Sequence, residues 1–266
     1  MTHKETTFLS LGIDPNPADN SFAHFNQYLK KHMRFLDTNK NSIKHCYLKI
    51  QLAFFLRFGS PGIKILEKFV ERYRHDFNII VDGKFNDIQN SMKAYLDFVF
   101  QTLGAHGITI NPFLGENTLE LSFESCAKHA GARGHVFVLC ATSESSTSTL
   151  SYLQENWKNK ILAAALMRDK VFGNQKEYKT IAGVVIGANK EKILLSNELA
   201  NSQLSVLVPG MGAQGGDWRL IHKCAEQGNE FIFNVGREIF QGGHASTAQM
   251  KKNLKTVQKY FLPIQQ

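Results

Sequence analysis

The chain alternates short apolar segments with longer stretches of helical pattern, and this alternation restricts its fold more than any other feature. Eight such segments follow one another along the 266 residues. Because they are apolar at nearly every position, they are typical of strands in a parallel sheet that is covered on both faces. The segments are residues 8–13, 45–48, 77–81, 107–110, 136–140, 181–186, 204–208 and 230–235.

The stretches between these segments carry helix signals. Pro61 stands where a helix can begin, and Gly104 ends a second helical pattern. The apolar positions of these two stretches are Ile63, Leu66, Phe69, Val70 and Tyr73 in the first, and Tyr95, Phe98, Val99 and Thr102 in the second. Eight strands alternating with helices predict an α/β fold, a (β/α)8 TIM barrel, with an open doubly wound sheet as the alternative. Since no linker rich in Gly, Pro or Ser divides the chain, we expect residues 1–266 to form a single catalytic domain.

Composition and charge exclude several classes of protein. Apolar residues make up 43% of the chain and charged residues 20%, which is ordinary for a globular domain. No run of about 18 apolar residues predicts a membrane span, and the first residues lack the apolar core of a signal peptide. The four cysteines form no CxxC pair, so we expect free thiols and a cytoplasmic protein. The net charge of +8 is scattered rather than clustered, which argues against nucleic-acid binding.

Polar residues end most of the predicted strands. In a (β/α)8 barrel the carboxyl ends of the strands surround the active site, so these residues would meet in one mouth. A lysine between Leu48 and Ile50 has no role in a local turn, which favours a functional one. The strand-end residues are Asp14, Lys49, Asp82, Asn111, Thr142 and Arg237.

The third predicted strand ends in three closely spaced charges, Asp82, Lys84 and Asp87. Asp82 and Lys84 are two residues apart, so they share a face in extended chain. Carboxylates beside an ammonium group favour its charged form and fix its position. The pattern therefore suits a lysine that stays charged until it donates its proton, and a purely structural salt-bridge cluster in a loop is the alternative.

A glycine-rich segment at residues 209–216 follows the seventh strand, and Arg237 follows the eighth. Glycines let backbone N–H groups approach an anion closely. The loops after strands seven and eight form the usual phosphate site of these barrels, and a guanidinium offers paired donors to phosphate oxygens. The two features together predict a site for a phosphate ester. The sequence contains no HxH, HExxH or Walker pattern, so we predict no metal and no cofactor.

Several motifs resemble the orotidine 5'-monophosphate decarboxylase family, over residues 11 to 239. Residues 82–88 resemble the family's DxKxxDI signature most strongly. The remaining matching segments are residues 11–15, 49–55, 111–115, 139–143 and 209–216, with Arg237, and those around 111–115 and 139–143 resemble the long-chain bacterial branch.

This resemblance implies a cofactor-independent enzyme of de novo pyrimidine biosynthesis, a carboxy-lyase that removes CO2 from orotidine 5'-monophosphate to give UMP. It implies a catalytic array of Lys49, Asp82, Lys84 and Asp87, with Lys84 as the proton donor. Asp87 would reach the partner subunit's site, so a homodimer is expected. The implied substrate-binding residues are Asp14 and Ser91 at the ribose, Thr142 and Ser143 at the pyrimidine, Gln214 between base and phosphate, and Pro209, Gly212, Gly215 and Arg237 at the phosphate.

The sequence departs from the family pattern around the third and sixth strands. Asn86 and Gln89 replace glycines, Ser91 replaces a threonine but keeps its hydroxyl, and Asn189 stands where threonine is usual. The charged residues are intact. Three alternatives stay open from the sequence: an Mg²⁺-dependent sugar-phosphate decarboxylase or aldol-type synthase of the same superfamily, a basic nucleic-acid-binding protein, and a catalytically inactive barrel that only binds.

Overall fold

Eight parallel strands form a closed barrel in the part of the chain that the computed structural model describes, which is residues 6–14, 21–142, 156–212 and 215–261. Each strand pairs with the next in sequence, and β1 pairs with β8. The predicted (β/α)8 barrel is therefore confirmed, and the open sheet is excluded. The strands are β1 (Thr7–Ile13), β2 (Tyr47–Gln51), β3 (Asn78–Phe85), β4 (Gly107–Ile110), β5 (His135–Ala141), β6 (Ala182–Ile186), β7 (Ser205–Pro209) and β8 (Phe231–Val235).

Helices connect the strands around the outside of the barrel. Serine side chains cap the start of three of them: the Ser21 hydroxyl accepts the His24 N–H, the Ser196 hydroxyl accepts the Leu199 N–H, and the Ser246 hydroxyl accepts the Gln249 N–H. The α-helices are α1 (Phe22–Asn39), α2 (Ala53–Leu56), α3 (Gly59–Tyr73), α4 (Gln89–Leu96), α5 (Glu116–Ala130), α6 (Trp157–Phe172), α7 (Glu191–Leu194), α8 (Asn197–Ser202), α9 (Leu220–Ala225), α10 (Arg237–Phe240) and α11 (Thr247–Gln258). Single 3₁₀ turns lie at Lys40–Ser42, Pro112–Leu114, Gly131–Arg133, Lys176–Tyr178, Gln241–Gly243 and Lys259–Phe261.

The core has two layers, as expected for strands that are apolar on both faces. The larger layer fills the space between the strands and the surrounding helices. The smaller layer fills the inside of the barrel below the mouth and consists of Tyr47, Ile80, Phe137, Val185, Leu207 and Ile232, with Phe8 and Leu139 against it. Burying one large apolar side chain stabilises a fold by roughly 1.5–3 kcal/mol. The inner layer therefore makes the barrel a packed core that closes the cavity from below.

The first predicted helix is confirmed in α3, which begins two residues before Pro61. Its apolar face is buried as expected, with Leu66, Phe69 and Val70 no more than 1% exposed. The predicted face of the second helix is confirmed in part. Val99 is buried and Phe98 packs against the core, whereas Tyr95 and Thr102 are exposed. The helix changes from α4 to a π-helical turn at Asp97–Thr102, whose wider winding departs from the α-helical period. The other buried apolar residues of this stretch are Met92, Leu96, Phe100 and Leu103.

The four cysteines are buried free thiols, which confirms the expected absence of disulfides. Burial raises the pKa of the Cys46 and Cys140 thiols to about 12, so both stay protonated and unreactive at neutral pH. Among the described helices, none combines the length and the apolar character that a membrane crossing requires.

Candidate active site

A cavity of about 690 Å³ opens at the carboxyl ends of the strands. Charged side chains from β1 to β3 form one part of the wall, and the chain after β7 and β8 forms the part next to β1, because β8 pairs with β1. Leu139, Val185 and Leu207 form an apolar part of the wall between them. The cavity contains seven of the predicted site residues: Asp14, Lys49, Asp82, Lys84, Thr142, Pro209 and Arg237.

Asp82 lies at the centre of a buried charge cluster. Lys49 Nζ donates to its Oδ2 at 2.8 Å, and Lys84 Nζ donates to its Oδ1 at 2.7 Å. Asp14 Oδ1 lies 3.9 Å from Lys49 Nζ on the other side. Asp14, Lys49, Asp82 and Lys84 thus form a chain of alternating charge. The Lys49 side chain is 5% exposed, whereas that of Lys84 is 45% exposed, so the chain ends in an accessible ammonium group. We refer to these four residues as the charged array.

Mutual attraction keeps the buried members of the array ionised. Burial alone would lower the pKa of Lys49, but the Asp14 and Asp82 carboxylates outweigh it and raise that pKa above its usual range. Burial would raise the pKa of Asp82, but the Lys49 and Lys84 ammonium groups outweigh it and hold that pKa well below its usual range. Both groups are therefore charged throughout the physiological range, and a ligand in the cavity meets a fixed field.

The predicted strand boundaries at these residues are wrong. Lys49 lies inside β2 rather than after it, and β3 continues past Asp82 to Phe85. Charged residues are tolerated within these strands because they pair with each other across the sheet: Lys49 is on β2 and its partner Asp82 is on β3. The inward side of a barrel strand near its carboxyl end thus serves as a wall of the cavity.

Lys84 is not in regular extended chain, although Asp82 and Lys84 do meet as predicted. Its φ is +48°, in the left-handed region that is unusual for a residue other than glycine. The register between β3 and β4 shifts at this point, and the Lys84 N–H bonds the Thr109 hydroxyl at 2.9 Å. Two side chains at this bulge, Asp82 and Lys84, therefore converge through an irregularity in the strand that the spacing alone did not predict.

Asp14 follows β1 and presents a partly exposed side chain to the cavity. Its Oδ1 is buried and has no hydrogen-bond partner within the described part of the chain. Beside it, the Asn234 amide lines the cavity, and Asn234 Oδ1 accepts a hydrogen bond from the Ser10 hydroxyl at 3.2 Å. A Cβ atom on Gly12 would crowd the side-chain ends of Asp14 and Asn234, so glycine leaves both in place at this corner. This corner can accept a hydroxyl group from a ligand.

The part of the cavity wall after β7 and β8 combines a tight glycine loop with Arg237. Gly212 and Gly215 have φ values of +66° and +86°, and the Gly215 N–H bonds the Gly212 carbonyl at 2.8 Å. Arg237 begins α10 and lines the cavity. The Glu238 side chain lies directly against Gly212, so that even a Cβ atom would overlap it. The predicted anion site therefore has its arginine in the cavity, with the glycine loop held at its rim.

Some predicted residues lie elsewhere. Asp87 and Ser91 do not line this cavity; the Asp87 carboxylate accepts the Ile88 N–H at 2.8 Å, and Ser91 is exposed in α4. Asn111 does not face the mouth either, because its side chain accepts the Phe113 N–H and begins a 3₁₀ turn. Gly212 and Gly215 adjoin the cavity without lining it. Two further predicted residues, Ser143 and Gln214, lie outside the described residues.

Sequence reasoning missed several polar residues that line the cavity, and two of them, Thr109 and Asn234, lie inside strands. Each is a single polar side chain inside an apolar strand, between Ile108 and Ile110 in one case and between Phe233 and Val235 in the other. A polar residue at an inward position near the carboxyl end of a barrel strand is the signal that could have found them. The described residues contain no group of three His, Cys, Asp or Glu side chains placed to hold a metal ion.

Comparison with known proteins gives a family match and similar structures. The model of the "Orotidine 5'-phosphate decarboxylase / HUMPS family" matches residues 7–251. A protein from Dehalococcoides mccartyi strain 195 named orotidine 5'-phosphate decarboxylase is 28% identical, over 97% of this chain and 96% of that protein. A protein of the same name from Roseiflexus castenholzii is 32% identical, over 87% of this chain and 82% of its own length.

Solved structures agree on the fold. The crystal structure of a candidate orotidine 5'-phosphate decarboxylase from Streptomyces avermitilis superimposes with a TM-score of 0.76 at 22% sequence identity. The match covers 95% of this chain and 89% of that one. At this identity the likeness supports the barrel architecture.

Proposed function

Because the chain belongs to the orotidine 5'-phosphate decarboxylase / HUMPS family, we propose that it converts orotidine 5'-monophosphate to UMP and CO2 without a metal or organic cofactor. The names of its relatives support this activity. The observation that carries the proposal is the charged array: within one cavity, Asp82 is bonded on both oxygens by the ammonium groups of Lys49 and Lys84. The reaction would serve de novo pyrimidine biosynthesis.

The chemical problem is a developing carbanion at C6 of the pyrimidine, where the departing CO2 leaves its electron pair. Preorganised charge is the remedy that the cavity offers, and such electrostatic stabilisation is often the largest catalytic contribution. We assign Lys84 to stabilise this carbanion and then to protonate C6. Its side chain is the most exposed member of the Lys49–Asp82–Lys84 cluster, as a group that must reach the substrate requires.

The buried partners would hold Lys84 ready for this step. The Asp82 carboxylate keeps the Lys84 ammonium group in place and would lie next to the substrate carboxylate that leaves. Lys49 balances the charge of Asp82 from the opposite side. An array that is already ordered in the free protein requires little reorganisation during the reaction.

The rest of the substrate supplies binding energy that orients the base. We assign the phosphate to Arg237, Pro209 and the glycine loop with Gly212 and Gly215, and we assign Gln214 as the link between phosphate and base. Asp14, whose side chain is partly exposed in the cavity and whose Oδ1 has no hydrogen-bond partner among the described residues, would accept a ribose hydroxyl. The remaining assignments are Thr142 and Ser143 at the pyrimidine and Ser91 at the ribose.

We also propose a homodimer in which Asp87 completes the partner subunit's site. Asp87 does not line the cavity of its own subunit, which agrees with a role in the site of another subunit. Large apolar side chains are exposed close to it in sequence and along the neighbouring loops: Ile88 is 67% exposed and Phe113 is 75% exposed. Such residues are typical of a surface that a second chain covers. The dimer and the cytoplasmic location stay predictions.

The test is an assay of the purified protein with orotidine 5'-monophosphate, following the loss of its absorbance and identifying the product, with and without EDTA. We expect UMP and CO2 in equal amounts at a rate that EDTA does not change. The matched arm replaces the nucleotide with a ketose phosphate in the presence of Mg²⁺. Turnover of the ketose phosphate alone, abolished by EDTA, would contradict the proposal and favour the Mg²⁺-dependent branch of the superfamily.

A further inference from the structure

The Thr109 hydroxyl bonds two parts of the charged array at once. Thr109 lies on β4, is 1% exposed and lines the cavity. Its hydroxyl donates to Asp82 Oδ1 at 2.9 Å and accepts the Lys84 backbone N–H at 2.9 Å. We propose that Thr109 is a positioning residue for the decarboxylation, an inference that rests on the proposed function, and that it orients the Asp82 carboxylate and the Lys84 backbone together.

The first role concerns the orientation of Asp82. Oδ2 is bonded by Lys49, whereas Oδ1 is bonded by both Lys84 and Thr109. The Lys84 ammonium group must turn to the substrate and give up a proton in the proposed reaction, which weakens its bond to Oδ1. Thr109 is fixed within a strand and keeps Oδ1 satisfied at that moment, so the carboxylate does not rotate or become an unpaired buried acceptor.

The second role concerns the backbone of Lys84. Val81 pairs with Ile108 and Phe85 pairs with Ile110, so that residues 82–84 of β3 lie opposite the single residue Thr109. In this bulge the Lys84 N–H is bonded by the Thr109 side chain, where regular pairing would use a backbone carbonyl. A left-handed lysine is strained and persists only where its surroundings hold it. Thr109 provides that restraint directly beside the reacting side chain.

The chemistry of a hydroxyl explains why threonine fits this position. It must accept from the Lys84 N–H and donate to the Asp82 carboxylate, and a hydroxyl can do both with one atom. It is also neutral, so it bonds the carboxylate without repelling the nearby ammonium groups. Valine has the same shape but offers neither bond, and serine offers both bonds without the methyl group.

The experiment compares Thr109→Val with Thr109→Ser in steady-state assays on orotidine 5'-monophosphate, after thermal unfolding confirms that each variant is folded. We expect Thr109→Val to lower kcat about 10- to 100-fold, as a small misplacement of a reacting group does. KM should stay within about threefold, because the assigned phosphate and ribose contacts are untouched. Thr109→Ser should recover most of kcat.

The matched control is Ser205→Ala, which removes another buried strand hydroxyl, one that bonds the Thr180 carbonyl at 3.1 Å away from the cavity. It should leave kcat unchanged. If Thr109→Val does not fold, Thr109→Ala is the hydroxyl-free variant that is compared with Thr109→Ser. A wild-type kcat in the folded hydroxyl-free variant, or an equal loss in Thr109→Ser, would overturn the positioning role. Failure of the proposed function is a separate result, since the wild-type protein would then not turn over the substrate.

Discussion

The barrel holds a carboxylate at each end, and the two differ in their surroundings: Asp82 is buried, whereas Glu230 is half-buried. At the mouth, Asp82 is bonded by the ammonium groups of Lys49 and Lys84. At the floor, formed by the amino ends of the strands, Glu230 accepts the Tyr47 hydroxyl at 2.9 Å and lies 3.0 Å from His135 Nε2. We call Tyr47, His135 and Glu230 the floor network.

The two ends also differ in what they leave available. The floor network lies against the inner core layer, with Tyr47 and His135 almost fully buried. The mouth ends in the half-exposed Lys84 ammonium group and in the Asp14 carboxylate, whose Oδ1 has no hydrogen-bond partner among the described residues. Satisfied polar groups serve stability, whereas ordered charge that still has bonds to make serves binding and catalysis. The comparison therefore assigns chemistry to the mouth and stability to the floor.

The largest effect should come from Lys84→Ala. Removing one preorganised group that stabilises transition-state charge lowers kcat by about 100- to 1,000-fold. Because Lys84→Ala also removes the proton donor, we expect kcat to fall by at least about 1,000-fold. The unfolding temperature should change little, because the side chain is half exposed. Lys93→Ala is the control, since Lys93 is an exposed lysine paired with Asp97. Wild-type turnover by Lys84→Ala would remove Lys84 from the mechanism.

Asp82→Asn should break both activity and stability. It leaves the buried Lys49 ammonium group with Asp14 at 3.9 Å as its carboxylate partner. Removing one partner of a buried ion pair costs about 3–5 kcal/mol in the free energy of unfolding. Urea unfolding of Asp82→Asn, Lys49→Met and the double variant measures this coupling. If the loss of unfolding free energy in the double variant equalled the sum of the two single losses, Asp82 and Lys49 would not stabilise each other.

Glu230→Gln should affect stability alone. Loss of the carboxylate weakens its bonds to Tyr47 and His135, which is expected to cost about 2 kcal/mol, while kcat/KM stays at the wild-type value. Glu191→Gln is the control, because Glu191 forms an exposed ion pair with Lys223 and should cost at most about 1 kcal/mol. A large loss of kcat/KM in folded Glu230→Gln would contradict the division between mouth and floor.

Mild acid should weaken the amino end of the barrel before the mouth. His106 lies at that end, directly before β4, where it is buried and its Nδ1 accepts the Ile79 N–H at 3.1 Å. Burial, then Arg133 and His135, lowers the pKa of His106 from 6.5 to about 4. The folded protein keeps His106 neutral, whereas the unfolded chain protonates it near pH 6.5. The free energy of unfolding therefore decreases as the pH falls from 6.5 toward 4, by up to about 1.4 kcal/mol per pH unit for one proton. Urea unfolding of wild type and His106→Gln from pH 7 to 4 tests this, and the variant should have the shallower slope. Asp82 stays ionised across this pH range, so the charged array should not contribute to the change. If the free energy of unfolding had the same pH dependence in both proteins, the role of His106 would be refuted.

The barrel could be predicted from sequence because its signals are local. Each of the eight apolar segments is continuous in the chain, and parallel strands joined by helices leave few ways to arrange them. The charged positions of the site could also be recognised from the sequence, since Lys49 and Asp82 interrupt otherwise apolar segments.

The details that organise the site depend on contacts between distant parts of the chain. Thr109 meets Asp82 across 27 positions, and Tyr47 meets Glu230 across 183. The left-handed conformation of Lys84 follows from the bulge opposite Thr109, and no local residue pattern indicates it. Such contacts become visible only when the register of the strands is known.

The most direct test of the account measures release of CO2 from carboxyl-labelled orotidine 5'-monophosphate by two folded variants under identical conditions, one at each end of the barrel. Lys84→Ala is predicted to release CO2 close to the background rate, and Glu230→Gln is predicted to release it at the wild-type rate. Comparable rates for the two variants would contradict the claim that the charged array at the mouth carries the reaction.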